Sequence, residues 1–465
     1  MTDHPNVLAP VAGEDRIQAM DVLRGFALVG ILLMNIEGMA GPLMASVTGV
    51  NPALQGADRW ADTFVYLFVQ GKFYPLFSLL FGMGFAVMMA RARAAGRPFV
   101  AVYLRRSLVL LGIGLAHALL LWPGDVLTSY ALIALVLLFM VAMHGLSLPR
   151  WAAVGVALSI AVVVVAVAAG VPMAALLVLP LLLFVGLSRV PGAGLAVYAS
   201  LLLLFTPLFI FCMGLLGSAA MSTPESAADW TREMGAEGER MAAVIAAQRE
   251  AYGSGSFAEA TAQRWADLKM MLGYLAFWGW NILGLFLLGA WFVRRGVIAN
   301  PAAHARFYAA LRWGAMPVGL AMTLFSYWLA PTTDVGRMDI VMGGSQSLAM
   351  LGGTLLSLGY LAWIVHALGT PSGAGLGRLL APAGRMALTN YLMQSLVCTS
   401  IFYGYGLGYF EQMPRAWQIP LVFALFALQV ALSHWWMARF RFGPMEWLWR
   451  AATYLQLPPM RRVSR

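Results

Sequence analysis

The sequence predicts an all-α, polytopic transmembrane helical bundle of about twelve spans, with both termini on the cytoplasmic side. Three observations predict it. Hydrophobic residues fill 61% of 465 positions and charged residues only 11%, against roughly a quarter charged in a soluble domain. The charges are clumped, leaving apolar stretches that match the ~20 helical residues needed to cross ~30 Å of hydrocarbon. The basic residues fall in short clusters between those stretches, the positive-inside pattern. That placement accounts for the net charge of +10 and excludes a basic face for nucleic acid. Cys212 and Cys398 each lie inside an apolar stretch, which argues against a disulfide framework.

In chain order, spans are expected near residues 22–45, 62–90, 102–121, 126–143, 151–169, 171–188, 194–219, 269–292, 313–330, 345–367, 386–408 and 417–438. The first follows a polar stretch with Asp3, Glu14, Asp15 and Arg16, and carries Asn35 and Glu37. It is too long for a signal-peptide core and reads as an uncleaved helix. The second is too long for one straight crossing, and Gly71 and Pro75 bend it around Lys72. Gly170-Val171-Pro172 gives only a tight break, so 151–219 holds either three spans or one tilted helix with a re-entrant piece, for about ten spans in all. Residues 220–267 form the sizeable soluble piece. Glu225, Asp229, Glu233, Glu237 and Glu239 run into Met241–Ala251, predicting one or two amphipathic helices outside, broken at Gly253–Gly255. Trp435, Trp436, Trp447 and Trp449 suit interfacial anchors, with Arg450 and the last arginines meeting anionic lipid.

With the N-terminus inside, 21 of the 30 Lys and Arg residues fall on cytoplasmic pieces, eight fall outside, and Lys72 lies within a span. Inversion would reverse this bias. The chain divides into an N-terminal half (1–145), extra transmembrane helices (146–219), a periplasmic amphipathic segment (220–267) and a C-terminal membrane domain (268–465).

Ionisable groups within the bilayer are costly and face a bundle interior or a wet cavity, so they mark where chemistry would sit. In the first span Arg24, Leu28, Ile31 and Asn35 share one face, with Arg24 and Asn35 about 16 Å apart. Both look into one interior, or Arg24 snorkels to phosphates while Asn35 bonds a neighbouring helix. Lys72 needs an anion, and Asp62 or Glu37 are at hand. His117 lies toward the outer half of the third span, and a reversal at Pro123-Gly124 brings Asp125 back toward it. An Asp-oriented His is a general base; the alternative is a satisfied structural His. Asn390 and Gln394 share a face beside Tyr391 and Ser395, as helix glue or as the lining of a polar cavity. Asn281, His434 and Glu446 stand isolated and read as structural. No metal motif, nucleotide-binding Gly-rich loop or Gly-x-Ser-x-Gly elbow is present.

The strings Asp21-x-Leu-Arg-Gly-Phe-Ala-Leu-x-Gly-Ile-Leu-Leu-Met-Asn35, Leu80-Phe-Gly-Met-Gly84, His117…Trp122-Pro-Gly-Asp125, Gly384-Arg-Met-Ala-Leu-Thr-Asn-Tyr391 and Phe442-Gly-Pro-Met-Glu-Trp-Leu-Trp449 resemble the YeiB family. These are bacterial inner-membrane proteins with a C-terminal domain of unknown function. The resemblance covers nearly the whole chain and departs at about 151–219. The N-terminal half is similar, more distantly, to the heparan-glucosaminide acetyltransferase group, which moves acetyl from cytoplasmic acyl-CoA to an acceptor across the membrane. Arg24-Gly25, Asn35 and Asp62 match that group's first helices. Its catalytic His follows the Asn closely, whereas residues 36–61 here contain none.

That resemblance implies acyl transfer across the bilayer, with Asn35 carried over as a catalytic residue; His117, held by Asp125, is the candidate base that the residues themselves offer in place of the missing histidine. Arg24, Asp62, Lys72, Asn390, Tyr391 and Gln394 would hold substrate, and Arg105 and Arg106 the phosphates of acyl-CoA. Acyl-CoA is then a co-substrate, and no permanently bound cofactor is expected. Expected partners are membrane lipids and a small-molecule or glycan acceptor, with a homodimer as a further possibility. The rival expectation is a transporter or lipid-handling protein without catalysis; no inverted repeat is evident.

Overall fold

The structure is a computed structural model and describes residues 17–96, 98–143, 194–334, 336–371 and 373–462. Among them it is helical, without β-strands. By length and composition, seven helices or continuous helical segments are apolar enough to cross a membrane. Large apolar side chains such as Leu208, Phe325, Trp328 and Leu432 are exposed on their flanks, as lipid-facing surface requires. The expected break at Gly170-Val171-Pro172, and spans 151–169 and 171–188, lie outside the described residues.

Helix α1 (Gln18–Ala40) is the hub. It is a mostly apolar run that ends at Gly41-Pro42, and most of its middle is buried. The second hydrophobic run is two helices, α3 (Gly56–Phe68) and α4 (Phe73–Ala94), after the short α2 (Leu43–Ser46). The expected bend is at Gly71, whose φ of +76° suits glycine. Pro75 falls in the first turn of α4, where its missing N–H costs nothing. Helices α5 (Val100–Leu120) and α6 (Val126–Met143) form the hairpin at Pro123-Gly124. Trp122 fastens that hairpin to α1 through Nε1–H donated to the Gly38 carbonyl, 3.0 Å.

Beyond the undescribed stretch come α7 (Gly194–Ala220) and the acidic α8 (Pro224–Gly253), the latter capped by Thr223 with Pro224 in its first turn. The break expected at Gly253–Gly255 separates α8 from α9 (Phe257–Arg294), and the helix after it runs on into the apolar segment as one 38-residue helix. Ser256 and Glu259 form a capping box at its start, and no proline or glycine pair interrupts it. At ~57 Å it is nearly twice as long as hydrocarbon is thick, so its first turns stand outside. Helices α10 (Ala305–Ala310), α11 (Met316–Leu329), α12 (Ile340–Leu368), α13 (Gly373–Arg385), α14 (Ala387–Phe402), α15 (Arg415–Arg439) and α16 (Pro444–Tyr454) complete the chain. α1 packs against α4, α12, α13, α14 and α15 in one apolar core, while α4, α5, α6, α7 and α9 enclose another.

Candidate functional site

Between these two cores lies a cavity of about 230 Å³. One end is electropositive, with Arg24, Arg106, Arg385 and Arg450 in its wall beside Trp449. The single carboxylate there, Glu446, accepts from the backbone N–H of Leu388 (2.7 Å) and Thr389 (3.1 Å) and from Thr389 Oγ1 (2.6 Å). Burial raises the Glu446 carboxyl above the usual range, and those donors pull it part of the way back. It satisfies the amino end of α14, so it is not the isolated residue expected. Further in, the wall turns apolar, with Ile31, Phe77, Phe81, Leu110 and Val126, and it ends near Tyr391.

The sequence places these groups by simple periodicity. On α5, Tyr103, Arg106, Leu110, Gly114 and His117 recur at three and four residues and share a face. Arg106 near one end and His117 near the other are therefore about 16 Å apart along the axis. The hairpin returns the chain so that Asp125 Oδ1 lies 2.8 Å from His117 Nδ1, with both side chains 1% exposed. Asp125 Oδ2 accepts the Thr128 N–H at 2.6 Å, an N-cap bond for α6. Gly114 permits this approach: a Cβ there would lie 2.5 Å from Thr128 N and 2.9 Å from Asp125 Oδ2. His117 Nε2 is buried with no hydrogen-bond partner among the described residues.

Tyr391 joins the pair to the cavity. Its ring is 5.1 Å from the imidazole, its hydroxyl accepts from Val126 N–H at 3.3 Å, and it lines the cavity. Asn35 is buried one turn beyond cavity-lining Ile31 on α1. Arg24 lines the mouth and also pairs with Asp21 at 3.0 Å. Arg106 lines it with its guanidinium 3.7 Å from the Trp449 ring.

Other residues expected at the site lie elsewhere. Arg105 Nε donates to the Thr453 carbonyl at 3.1 Å, tying α5 to α16 instead of facing the cavity. Asn390 Nδ2 donates to Ala383 O and Ser433 Oγ, and Gln394 Nε2 to Gln429 Oε1 and Leu28 O. Those amides join α13, α14, α15 and α1, the glue reading. Lys72 does not pair with Asp62 or Glu37: its Nζ donates to the Tyr66 carbonyl at 2.7 Å. Arg415 takes both carboxylates, with Nη2 2.8 Å from Glu37 and Nε 3.1 Å from Asp62. Sequence reasoning missed Arg415, although an arginine opening a span on the acidic side was a signal. It also missed Tyr103, and it placed Glu446 as structural without its position in the cavity wall.

Residues 292–456 match a family described as a protein of unknown function (DUF418). The chain is 30% identical to the uncharacterized protein YxaH of Bacillus subtilis (strain 168), over 98% of its own length and 99% of that protein. It is 28% identical to the uncharacterized protein YeiB of Escherichia coli (strain K12), covering 94% and 96% of the two chains. An uncharacterized 39.9 kDa protein from the amylase 3′ region of Bacillus acidopullulyticus is also 28% identical, over 96% of each chain. No solved structure matches. The chain belongs to the YeiB-like family of proteins carrying the DUF418 region.

Proposed function

We propose that the protein transfers an acyl group from a cytoplasmic acyl-CoA-like donor to a hydroxyl or amine on a periplasmic or lipid-linked acceptor. It does so in the bacterial inner membrane, with both termini inside. The observation that carries this reading is the buried His117–Asp125 pair, with Nε2 unclaimed, beside the inner end of an arginine-mouthed cavity. A carboxylate at Nδ1 favours the tautomer with the proton on that nitrogen and leaves a lone pair on Nε2. In the transfer, Nε2 takes the acceptor's O–H or N–H proton as the acceptor attacks the acyl carbonyl carbon. The C–S bond breaks, and the coenzyme thiolate leaves and is protonated. Asn35 supplies an amide N–H to the carbonyl oxygen as negative charge develops there.

The test incubates purified full-length protein with labelled acyl-CoA and a panel of sugar, amine and lipid-linked acceptors, reading free thiol and acceptor labelling. Wild type releases CoA, and His117→Ala is slower by roughly 10²–10⁴-fold, the usual contribution of a general base. No thiol release with any acceptor would reject transfer.

One observation favours a second reading, lipid handling without catalysis. His117 is 3% exposed, and Tyr391, not His117, forms the cavity wall. Under that reading His117→Ala changes neither ligand binding nor turnover.

A further inference from the structure

We infer that the mouth of the cavity is a recognition site for a phosphate group carried on an apolar chain, and that Tyr103 and Arg106 read that phosphate. This deepens the reading above by naming what the donor must carry, and it rests on that reading only for the transfer step.

Arg106 is held for the task. Trp449 Nε1 donates to the Arg106 carbonyl at 2.9 Å while the guanidinium lies 3.7 Å from the Trp449 ring. A guanidinium held by an aromatic ring keeps its in-plane N–H groups available to an anion. No carboxylate among the described residues pairs with it. Tyr103 sits one turn earlier on the same face and lines the same cavity. Its ring is fixed between Phe85 (centroids 4.7 Å) and Phe99 (5.2 Å). It is 2% exposed, and its Oη has no hydrogen-bond partner among the described residues. A buried phenol without a partner is costly, and an anion in the cavity would meet its O–H. Arg24 faces the mouth from α1 across Gly84, where an added Cβ would meet nothing nearer than Arg24 Nη2 at 3.9 Å.

Charge selects the ligand class. The planar guanidinium of Arg106, beside a glutamate already satisfied by backbone and hydroxyl donors, suits phosphate oxygens. The apolar wall behind them takes a hydrocarbon chain. Both an acyl-CoA and a phosphate-headed membrane lipid carry this chemistry.

The experiment measures calorimetric binding to the full-length protein in dodecyl maltoside. The ligands are dodecyl phosphate, dodecanol, inorganic phosphate and decanoyl-CoA. Dodecyl phosphate should bind, and dodecanol and inorganic phosphate should each bind at least about tenfold more weakly, as befits a charge-assisted contact joined to a chain site. Arg106→Gln should lose about tenfold, Tyr103→Phe about threefold to tenfold, and Gly84→Trp should abolish binding by filling the cavity. Gly112→Ala, where an added Cβ meets nothing within 4 Å, should bind like wild type. Tighter decanoyl-CoA than dodecyl phosphate identifies the coenzyme as the source, and the reverse identifies a membrane lipid. Both support the phosphate site. Dodecanol binding as tightly as dodecyl phosphate would overturn it. So would Arg106→Gln and Tyr103→Phe binding like wild type with unchanged melting temperature. Phosphate binding without CoA release would reject acyl transfer and leave this site standing. CoA release together with Arg106→Gln and Tyr103→Phe binding dodecyl phosphate like wild type would do the opposite.

Discussion

Asp125 holds two bonds at once, and they separate its structural from its chemical role. Oδ2 caps α6 through Thr128 N–H, while Oδ1 meets His117 Nδ1. Asparagine caps a helix about as well as aspartate, whereas alanine loses about 1 kcal/mol. Asp125→Asn should therefore melt like wild type yet lose most of any CoA-releasing activity, because it removes the charge that stabilises the imidazolium. Asp125→Ala should lose both. Equal activity in wild type and Asp125→Asn, measured by thiol release, would remove the pair from the chemistry. Gly114→Ala forces its methyl against Thr128 N and Asp125 Oδ2, and overpacking of that kind costs about 1–3 kcal/mol. Gly112, two residues away on the same helix, has nothing within 4 Å of an added Cβ, so Gly112→Ala should be silent in the same thermal melt. The His117–Asp125 contact was legible because both partners lie eight residues apart around a Pro-Gly reversal. Arg415 was not, because its carboxylates are 378 and 353 residues away, and no local pattern encodes such a distance. Lys72 misled for the complementary reason: proximity in sequence to Asp62 suggested an ion pair, and a backbone carbonyl took its place.

At the scale of elements, apolar length and glycine–proline punctuation made the spans and the Gly71 bend legible. The continuity of α9 was not, because the acidic composition of its first turns reads as a separate surface helix. Tertiary bonds hold those turns in place. Arg249 forms a two-bond pair with Glu411 (2.6 and 2.9 Å), and Arg264 Nη2 donates to Tyr405 Oη at 2.6 Å, docking the α8–α9 hairpin on the α14–α15 loop. Within the hairpin, Asp267 accepts from Tyr252 Oη (2.5 Å), Gln248 Nε2 (3.0 Å) and Gln263 Nε2 (2.9 Å). Burial still raises its carboxyl above the ordinary aspartate value of 3.8, those three bonds opposing the shift. A carboxyl whose folded pKa is raised binds its proton more tightly folded than unfolded. Its contribution is thus fully present below about pH 3.8 and is lost as pH rises through the folded value. Amide protection factors in α8 and the first turns of α9, with the intrinsic pH dependence of exchange divided out, should accordingly rise on acidification from neutral pH toward that range. Asp267→Asn, which removes the titration, should flatten the dependence. A slope surviving in Asp267→Asn would assign it to another group.

Over the whole molecule, charge and cavity share one polarity. The cavity mouth, with Arg24, Arg106, Arg385 and Arg450, lies at the end where α4 finishes in Arg91 and Arg93 and α15 finishes in Arg439. The other end of α1 carries Glu37, paired with Arg415 beside Asp62, and the acidic hairpin docks there through Glu411. By the positive-inside rule the arginine end is expected in the cytoplasm, which is also where an acyl-CoA is found. One experiment tests both statements. In a background lacking Cys212 and Cys398, Ser254→Cys lies in the exposed turn between α8 and α9, and Gln456→Cys lies exposed after α16. A membrane-impermeant maleimide should label the cysteine at 254 in intact cells with a permeable outer membrane, and the one at 456 only after lysis. The reversed pattern would turn the arginine mouth toward the periplasm. It would deny a cytoplasmic thioester any route to His117, so the transfer direction argued from the cavity would fall with the topology.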